Sequence, residues 1–335
     1  MTFLGWPDEL VRARLHVVTG KGGTGKTTVA AALAVALATG GRRTLLTEVE
    51  GRQALARLFD TPPLPYAERR IAVAPDGGEV KALAVDPEAA LLEYLAMFYN
   101  LGFAGRTLHR MGAVEFAATL APGLRDVLLT GKVMEATNRT ENGRHVYDAV
   151  VLDAPPTGRV VRFLDVTKAM AELAKAGPIR NQSERVVRLL HSADTVVHVV
   201  TLLEDLPVSE TLETVAELDA ADLRPGAVLV NRARPARLPN RSVTAAAGGR
   251  VDPGRVRAGL LTAGLDLDPA VLDGLVTQTV EHAVRVELEQ QARARLEEAG
   301  LPTLELPELG DTGMDSVDLG GIYELAELIL GWNSR

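Results

Sequence analysis

Residues 19–28, TGKGGTGKTT, decide how the rest of the chain is read. Within them Gly20-Lys21-Gly22-Gly23-Thr24-Gly25-Lys26-Thr27 fits the G-x-x-x-x-G-K-[ST] spacing of a phosphate-binding loop. The spacing carries weight only between a strand and a helix, and both flanks comply. LHVVT (15–19) is an apolar, β-branched run that predicts a buried strand. The alanine- and leucine-rich segment from Lys26 to Ala38 predicts a helix, closed by Gly40-Gly41. The glycines let backbone N–H groups wrap phosphate oxygens, and the helix N-terminus adds positive potential. In that arrangement Lys26 holds the β- and γ-phosphates of ATP, Thr27 supplies a Mg2+ ligand, and Thr28 reaches the α-phosphate.

Outward from the loop the alternation continues. RTLLTEV (43–49), VKALAVD (80–86), YDAVVLD (147–153), TVVHVVT (195–201), GAVLVN (226–231) and PTLELP (302–307) read as strands. YDAVVLD has the nearly continuous apolar run of a strand buried on both faces of a parallel sheet. PEAALLEYLAMFY (87–99), with proline in its first turn, and a segment from Ser209 to Leu218 read as helices. Residues 250–300 read as two or three surface helices. The expected class is α/β: a mostly parallel, doubly wound sheet flanked by helices. Between Asp60 and Ala121 the alternation thins into a Pro-rich TPPLP and apolar, mostly helical sequence. Residues 60–125 are therefore expected as a helical elaboration inside a single domain spanning 1–335.

Composition narrows the partners. The chain has 335 residues and a net charge of −8, which disfavours general binding to nucleic acid or anionic lipid. Cysteine is absent, which excludes disulfides, thiolate zinc sites and a soft thiol site for arsenic. The N-terminal sequence lacks a signal-peptide pattern, and apolar runs such as Val29–Ala38 fall short of a bilayer span, so a cytoplasmic protein is expected. The six histidines are scattered without metal spacing. His16 and His198 lie within strands and are expected in the core.

Lys21 is the departure from an ordinary phosphate loop, which needs one lysine and here has two. A lysine after the first glycine, in K-G-G-x-G-K-[ST]-T form, resembles the deviant Walker A loop of P-loop NTPases that include partition ATPases, nitrogenase iron protein, the arsenical pump-driving ATPase and the tail-anchored-protein targeting ATPase. The resemblance implies that Lys21 contacts phosphates bound by a facing subunit. A cation delivered in trans would stabilise the transferring phosphoryl group. With one loop in the chain, a homodimer or a heterodimer with a related ATPase is implied.

Asp153-Ala154-Pro155-Pro156-Thr157-Gly158-Arg159, followed by VVRFL, resembles the D-T-A-P-T-G-H-x-x-R-x-L switch of the arsenical-pump and targeting branch. An aspartate at a strand's C-terminal end is placed to hold Mg2+ through water, and the proline-rich string suits a loop that reports γ-phosphate. Fainter similarities to that branch run from about residue 14 to 330. They imply that Asn231 reads the adenine and that the loop at Pro307 packs against the base. The branch's first switch carries an aspartate that activates water. Glu50 stands in that register, with Glu48 as runner-up. Glutamate can do the same work, but its extra methylene moves the charge by about 1.5 Å.

Three functional readings follow from the resemblance. One is a Mg2+-dependent ATPase whose nucleotide-driven motion is coupled to a partner or hydrophobic client, with Lys21, Lys26 and Glu50 catalytic and Thr27 and Asp153 at the metal. Another is the energy subunit of an anion or metalloid pump with a membrane partner. The last is an ATP-binding switch with little hydrolysis. Apolar stretches at 91–105 and 114–134 can serve client binding, but pack a core or a dimer more simply.

Overall fold

The buried runs on either side of the loop become the middle of one sheet. The structure, a computed structural model, describes residues 6–99, 122–165, 186–309 and 318–331. Its strands are β1 (Leu15–Gly20), β2 (Arg43–Glu48), β3 (Arg69–Ala74), β4 (Gly78–Ala84), β5 (Thr140–Glu141), β6 (Arg144–His145), β7 (Ala149–Asp153), β8 (Thr195–Thr201), β9 (Pro225–Ala233) and β10 (Thr303–Pro307). The helices begin with α1 (Asp8–Arg12), α2 (Lys26–Ala38), α3 (Ala54–Leu58), α4 (Pro87–Tyr99), α5 (Pro122–Asn138) and α6 (Thr157–Leu164). They continue with α7 (Asp205–Ala220), α8 (Asn240–Ala247), α9 (Pro253–Thr262), α10 (Pro269–Glu298) and α11 (Leu319–Leu330).

Eight strands form the sheet in the order β10-β9-β8-β1-β7-β2-β4-β3. Every pairing is parallel except β3 with β4, so the α/β expectation holds. β1 lies between β7 and β8, so the loop after β1 opens where the connections part to either side, the usual ligand crevice of such sheets. Residues 29–38 of α2 are each at most 1% exposed, because the helix lies between the sheet and α11. That explains its alanine-rich, stripe-free sequence: a helix covered all round needs no polar face.

The range 60–125, expected as a helical elaboration, also holds the edge of the main sheet: β4 agrees with the strand read at 80–86, and a strand the sequence reading did not include, β3, pairs with it as an antiparallel hairpin. β3 is short, bulged between Arg70 and Ala72 and half exposed, so it lacks the apolar run of a central strand. The helical part starts at Pro87; the apolar residues of 100–121 lie outside the described residues. In α5, Val127, Leu129, Val133 and Met134 are buried in the cluster that includes the β7 residues Val150 and Leu152. A second overlooked hairpin, β5–β6, turns at Asn142 (φ 52) and Gly143 (φ 75), the Asn-Gly pair favoured at that turn. Among the described residues no helix is long and apolar enough to cross a membrane.

His16 and His198 are core residues with every ring nitrogen used. The Ala227 N–H donates to His198 Nδ1 (3.0 Å), His198 Nε2 pairs with His16 Nδ1 (3.1 Å), and His16 Nε2 meets the Ala13 carbonyl (3.0 Å). A carbonyl can only accept, so His16 carries its proton on Nε2 and His198 donates across the pair. The chain therefore stitches β9, β8 and β1 together only while both rings are neutral. Burial lowers the His16 pKa to about 4 and that of His198 well below its ordinary value.

With folded-state values depressed, this stabilisation is present above pH 6.5, where the unfolded rings are neutral too, and is lost as pH falls. The expected loss from His16 is about 2 kcal/mol by pH 5, and His198 adds to it with the same sign. Asp153, raised to about 6 chiefly by burial, titrates with the opposite sign. The series is therefore best run on Asp153→Asn, without metal or nucleotide, by denaturant melts from pH 7.5 to 5. A midpoint independent of pH there would refute the neutral relay.

Candidate functional site

The loop is shaped from two sides. A Cβ on Gly20 would lie 2.3 Å from the Val200 carbonyl of β8, and one on Gly25 (φ +86) would lie 2.4 Å from Asn231 Nδ2. Backbone closes position 20 to any side chain, whereas a side chain at 25 would have to displace the Asn231 amide and adopt the left-handed backbone. Asn231, buried at the end of β9, donates its amide to the Thr24 carbonyl (2.8 Å). The Thr24 hydroxyl in turn donates to the Lys21 carbonyl (2.9 Å). Asn231 is thus bound to the phosphate loop itself. Beside it opens a cleft of about 590 Å3, lined among others by Leu203, Asn231, Arg234 and Glu308. Pro307 ends β10 one residue before Glu308, which pairs with Arg234.

The other predicted residues gather at the C-terminal ends of β1, β7 and β2. The Thr27 hydroxyl, in the first turn of α2, donates to Asp153 Oδ2 (2.6 Å). Thr28 is half-buried in the same turn. Burial is the main cause raising the Asp153 pKa to about 6; the Thr27 hydrogen bond and Lys26 oppose it, while Glu48 and Glu50 add to it. Lys26 therefore lies within electrostatic reach of Asp153, as do Glu48 and Glu50. The string after Asp153 is tied to β1 by the Ala154 N–H on the Val18 carbonyl (2.9 Å) and by the Thr19 hydroxyl on the Pro155 carbonyl (2.7 Å).

Glu50 and Lys21 are engaged in ways the sequence did not announce. Glu50 lies 3.5 Å from Arg159 and 3.8 Å from Arg52, so the loop after β2 contacts the start of α6 through an ion pair. Its loop turns at Gly51 (φ 67) and Gln53 (φ 52), and the Gln53 amide is held by the backbone of Leu64. Lys21 pairs at 2.8 Å with Glu210 of α7, whose other oxygen accepts from the Thr157 hydroxyl (3.3 Å). Glu210 thereby joins the loop's extra lysine to the residue that opens α6. Sequence reasoning missed it, since a glutamate in SETLETV has the pattern of a solvated helix face.

This fold with this loop is that of a P-loop nucleoside triphosphatase. The chain belongs to the anion-transporting ATPase family, whose model matches residues 13–193, and is an ATP-hydrolysing enzyme. ATPase BagA of Mycobacterium tuberculosis (strain ATCC 25618 / H37Rv) is 59% identical over 325 residues, 97% of this chain and 94% of its own. ATPase GET3 of Kluyveromyces lactis is 26% identical over 263 residues, 67% of this chain and 74% of its own. The protein named putative arsenical pump-driving ATPase of Prosthecochloris vibrioformis is 30% identical over 186 residues, 53% of this chain and 41% of its own, in keeping with the resemblance read from the motifs.

Proposed function

We propose that this ATPase is a Mg2+-dependent dimer, of itself or with a related chain, whose nucleotide-driven motion is coupled to a partner or hydrophobic client. The observation that carries the reading is the division of labour between the two lysines. Lys26 opens α2 within electrostatic reach of Asp153, whereas Lys21 sits with a 29% exposed side chain on the loop's rim, paired to Glu210. A lysine so placed is available to a facing subunit.

A hard divalent cation fits the oxygens present: the Thr27 hydroxyl, and Asp153, whose buried Oδ1 has no hydrogen-bond partner. Among the described residues no group of three or more His, Asp or Glu side chains can hold a metal, so water and phosphate would complete the shell. When bound with nucleotide, Mg2+ supplies neutralising charge at the β- and γ-phosphates. The chain's own residues do the rest. The backbone of Gly20–Gly25 cradles phosphate, Lys26 and Thr28 grip it, and Thr27 and Asp153 hold the cation. Glu50 orients the attacking water, with Arg159 holding that carboxylate. Asn231 keeps its Oδ1 for the base, and Pro307 packs nearby.

The test is steady-state ATP hydrolysis across a protein concentration series, with mass in solution recorded with and without ATP and Mg2+. Turnover per chain should rise with the dimer population. A constant value from monomer to dimer would refute the reading, and stimulation by arsenite or antimonite would move it to the pump alternative.

The cis pair also makes a prediction. If Lys21 must leave Glu210 to act across the interface, Glu210→Ala should raise turnover up to about fivefold, the ceiling for a half-exposed ion pair. The gain should vanish in the Lys21→Ala background. An equal change in both backgrounds would show that Glu210 acts through Thr157 alone.

A further inference from the structure

Glu48 ends β2 directly opposite Asp153 at the end of β7, in register on the neighbouring parallel strand. Register partners share a face of the sheet, so the two carboxylates stand side by side below the phosphate loop. Both are more than nine-tenths buried, at 2% and 7% exposure. Each has one oxygen satisfied: Glu48 Oε2 accepts the Leu55 N–H (3.0 Å), and Asp153 Oδ2 accepts the Thr27 hydroxyl (2.6 Å). Each has one oxygen with nothing: among the described residues only Thr44 Oγ1, Glu48 Oε1 and Asp153 Oδ1 are buried side-chain atoms lacking a partner. Two of those three atoms belong to this pair.

Leaving two neighbouring buried carboxylate oxygens unsatisfied is costly unless something arrives to satisfy them. No hydrogen bond joins the carboxyls, and their mutual repulsion opposes the arrangement. A cation that keeps its water answers both defects, since its charge offsets the pair and its water protons reach both free oxygens. The remaining Glu48 contact adds a second role. Its bond to Leu55, in the first turn of α3, closes the loop 49–53 that carries Glu50. A change at the cation is therefore passed through one side chain to the base of the Glu50 loop.

We propose that Glu48 is a second carboxylate of the cation site, accepting hydrogen bonds from Mg2+-bound water beside Asp153 and linking that shell to the Glu50 loop through Leu55. The proposal rests on the nucleotide–Mg2+ reading of the site above. Glutamine in its place keeps an oxygen for Leu55 but offers the cation's water an amide in place of a charge.

The experiment compares wild type, Glu48→Gln, Glu48→Asp and Asp153→Asn, using a fluorescent ATP analogue titrated in EDTA and then over a Mg2+ series, with metal-free melting temperatures in parallel. Glu48→Gln should melt at or above the wild-type temperature and bind nucleotide normally in EDTA. It should need about tenfold more Mg2+ for half of the metal-dependent gain in affinity, one ion-pairing partner's worth. Glu48→Asp keeps the charge and should shift less. An unchanged Mg2+ midpoint in Glu48→Gln, with a shifted one in Asp153→Asn, overturns the role of Glu48 and leaves the site reading intact. A shift in Glu48→Asp as large as in Glu48→Gln assigns the effect to the Leu55 bond and overturns it too. Wild-type binding insensitive to Mg2+ removes the site reading and the proposal together.

Discussion

Lys26→Ala should bind ATP at least about a hundredfold more weakly than the wild type and show no measurable turnover. The side chain stands in the electrostatic surroundings of Asp153, and it opens α2, whose N-terminal backbone N–H groups face the proposed phosphate site. Its charge-assisted bonds to two phosphates are worth about 3 kcal/mol or more together, which is the hundredfold. Folding should survive, because the residue is only half-buried and alanine suits the first turn of a helix. Titration of a fluorescent ATP analogue reads the affinity directly. Retention of affinity within about threefold, well under 1.4 kcal/mol, would mean the loop does not hold phosphate as argued.

Lys21→Ala should separate binding from chemistry. A cation supplied across an interface to the transferring phosphoryl group contributes about a thousandfold or more to turnover. It contributes little to ground-state affinity, which the chain's own loop supplies. Saturating ATP should therefore leave Lys21→Ala deeply impaired with near-normal binding. Mixing it with Lys26→Ala gives a sharper signature. In a mixed dimer one site keeps its own Lys26 and receives the partner's Lys21, so random pairing should restore about a quarter of wild-type turnover. No recovery in chains shown to exchange subunits would sink the in-trans role for paired copies of this chain. Equal loss of binding in both variants would sink it altogether.

The strands nearest the chemistry were the most legible in the sequence, for a physical reason. β1, β7 and β8 are covered on both faces, so their apolar runs are nearly unbroken, and β1 and β7 end at Gly20 and Asp153 of the candidate site. Asp153 was singled out because it ends such a run and lies in the P-T-G string, and Lys26 and Thr27 because the loop spacing is specific. β3 was not, since an edge strand with Arg69, Arg70 and a bulge carries a weak pattern. The Asn142-Gly143 turn was legible but overlooked between two short strands. Glu210 is different in kind. Its partners Lys21 and Thr157 are distant in sequence, and nothing within α7 marks that glutamate from its neighbours. Glu48 was visible only as a second choice to Glu50. Its burial, its pairing across to Asp153 and its unmatched oxygen are properties of the sheet, and no local pattern encodes them.

The contact between Asn231 and the phosphate loop limits how such an enzyme can be retuned. Its amide is bonded to the Thr24 carbonyl and pressed against the space where a side chain on Gly25 would stand. If Asn231 reads the base as proposed, a substitution there that admits a different base would also release the Thr24 backbone of the loop. A bulkier residue at 25 would push the Asn231 side chain away. Selectivity and grip share one strut, so mutants selected for a new nucleotide should need compensating changes on both sides of it before either property recovers.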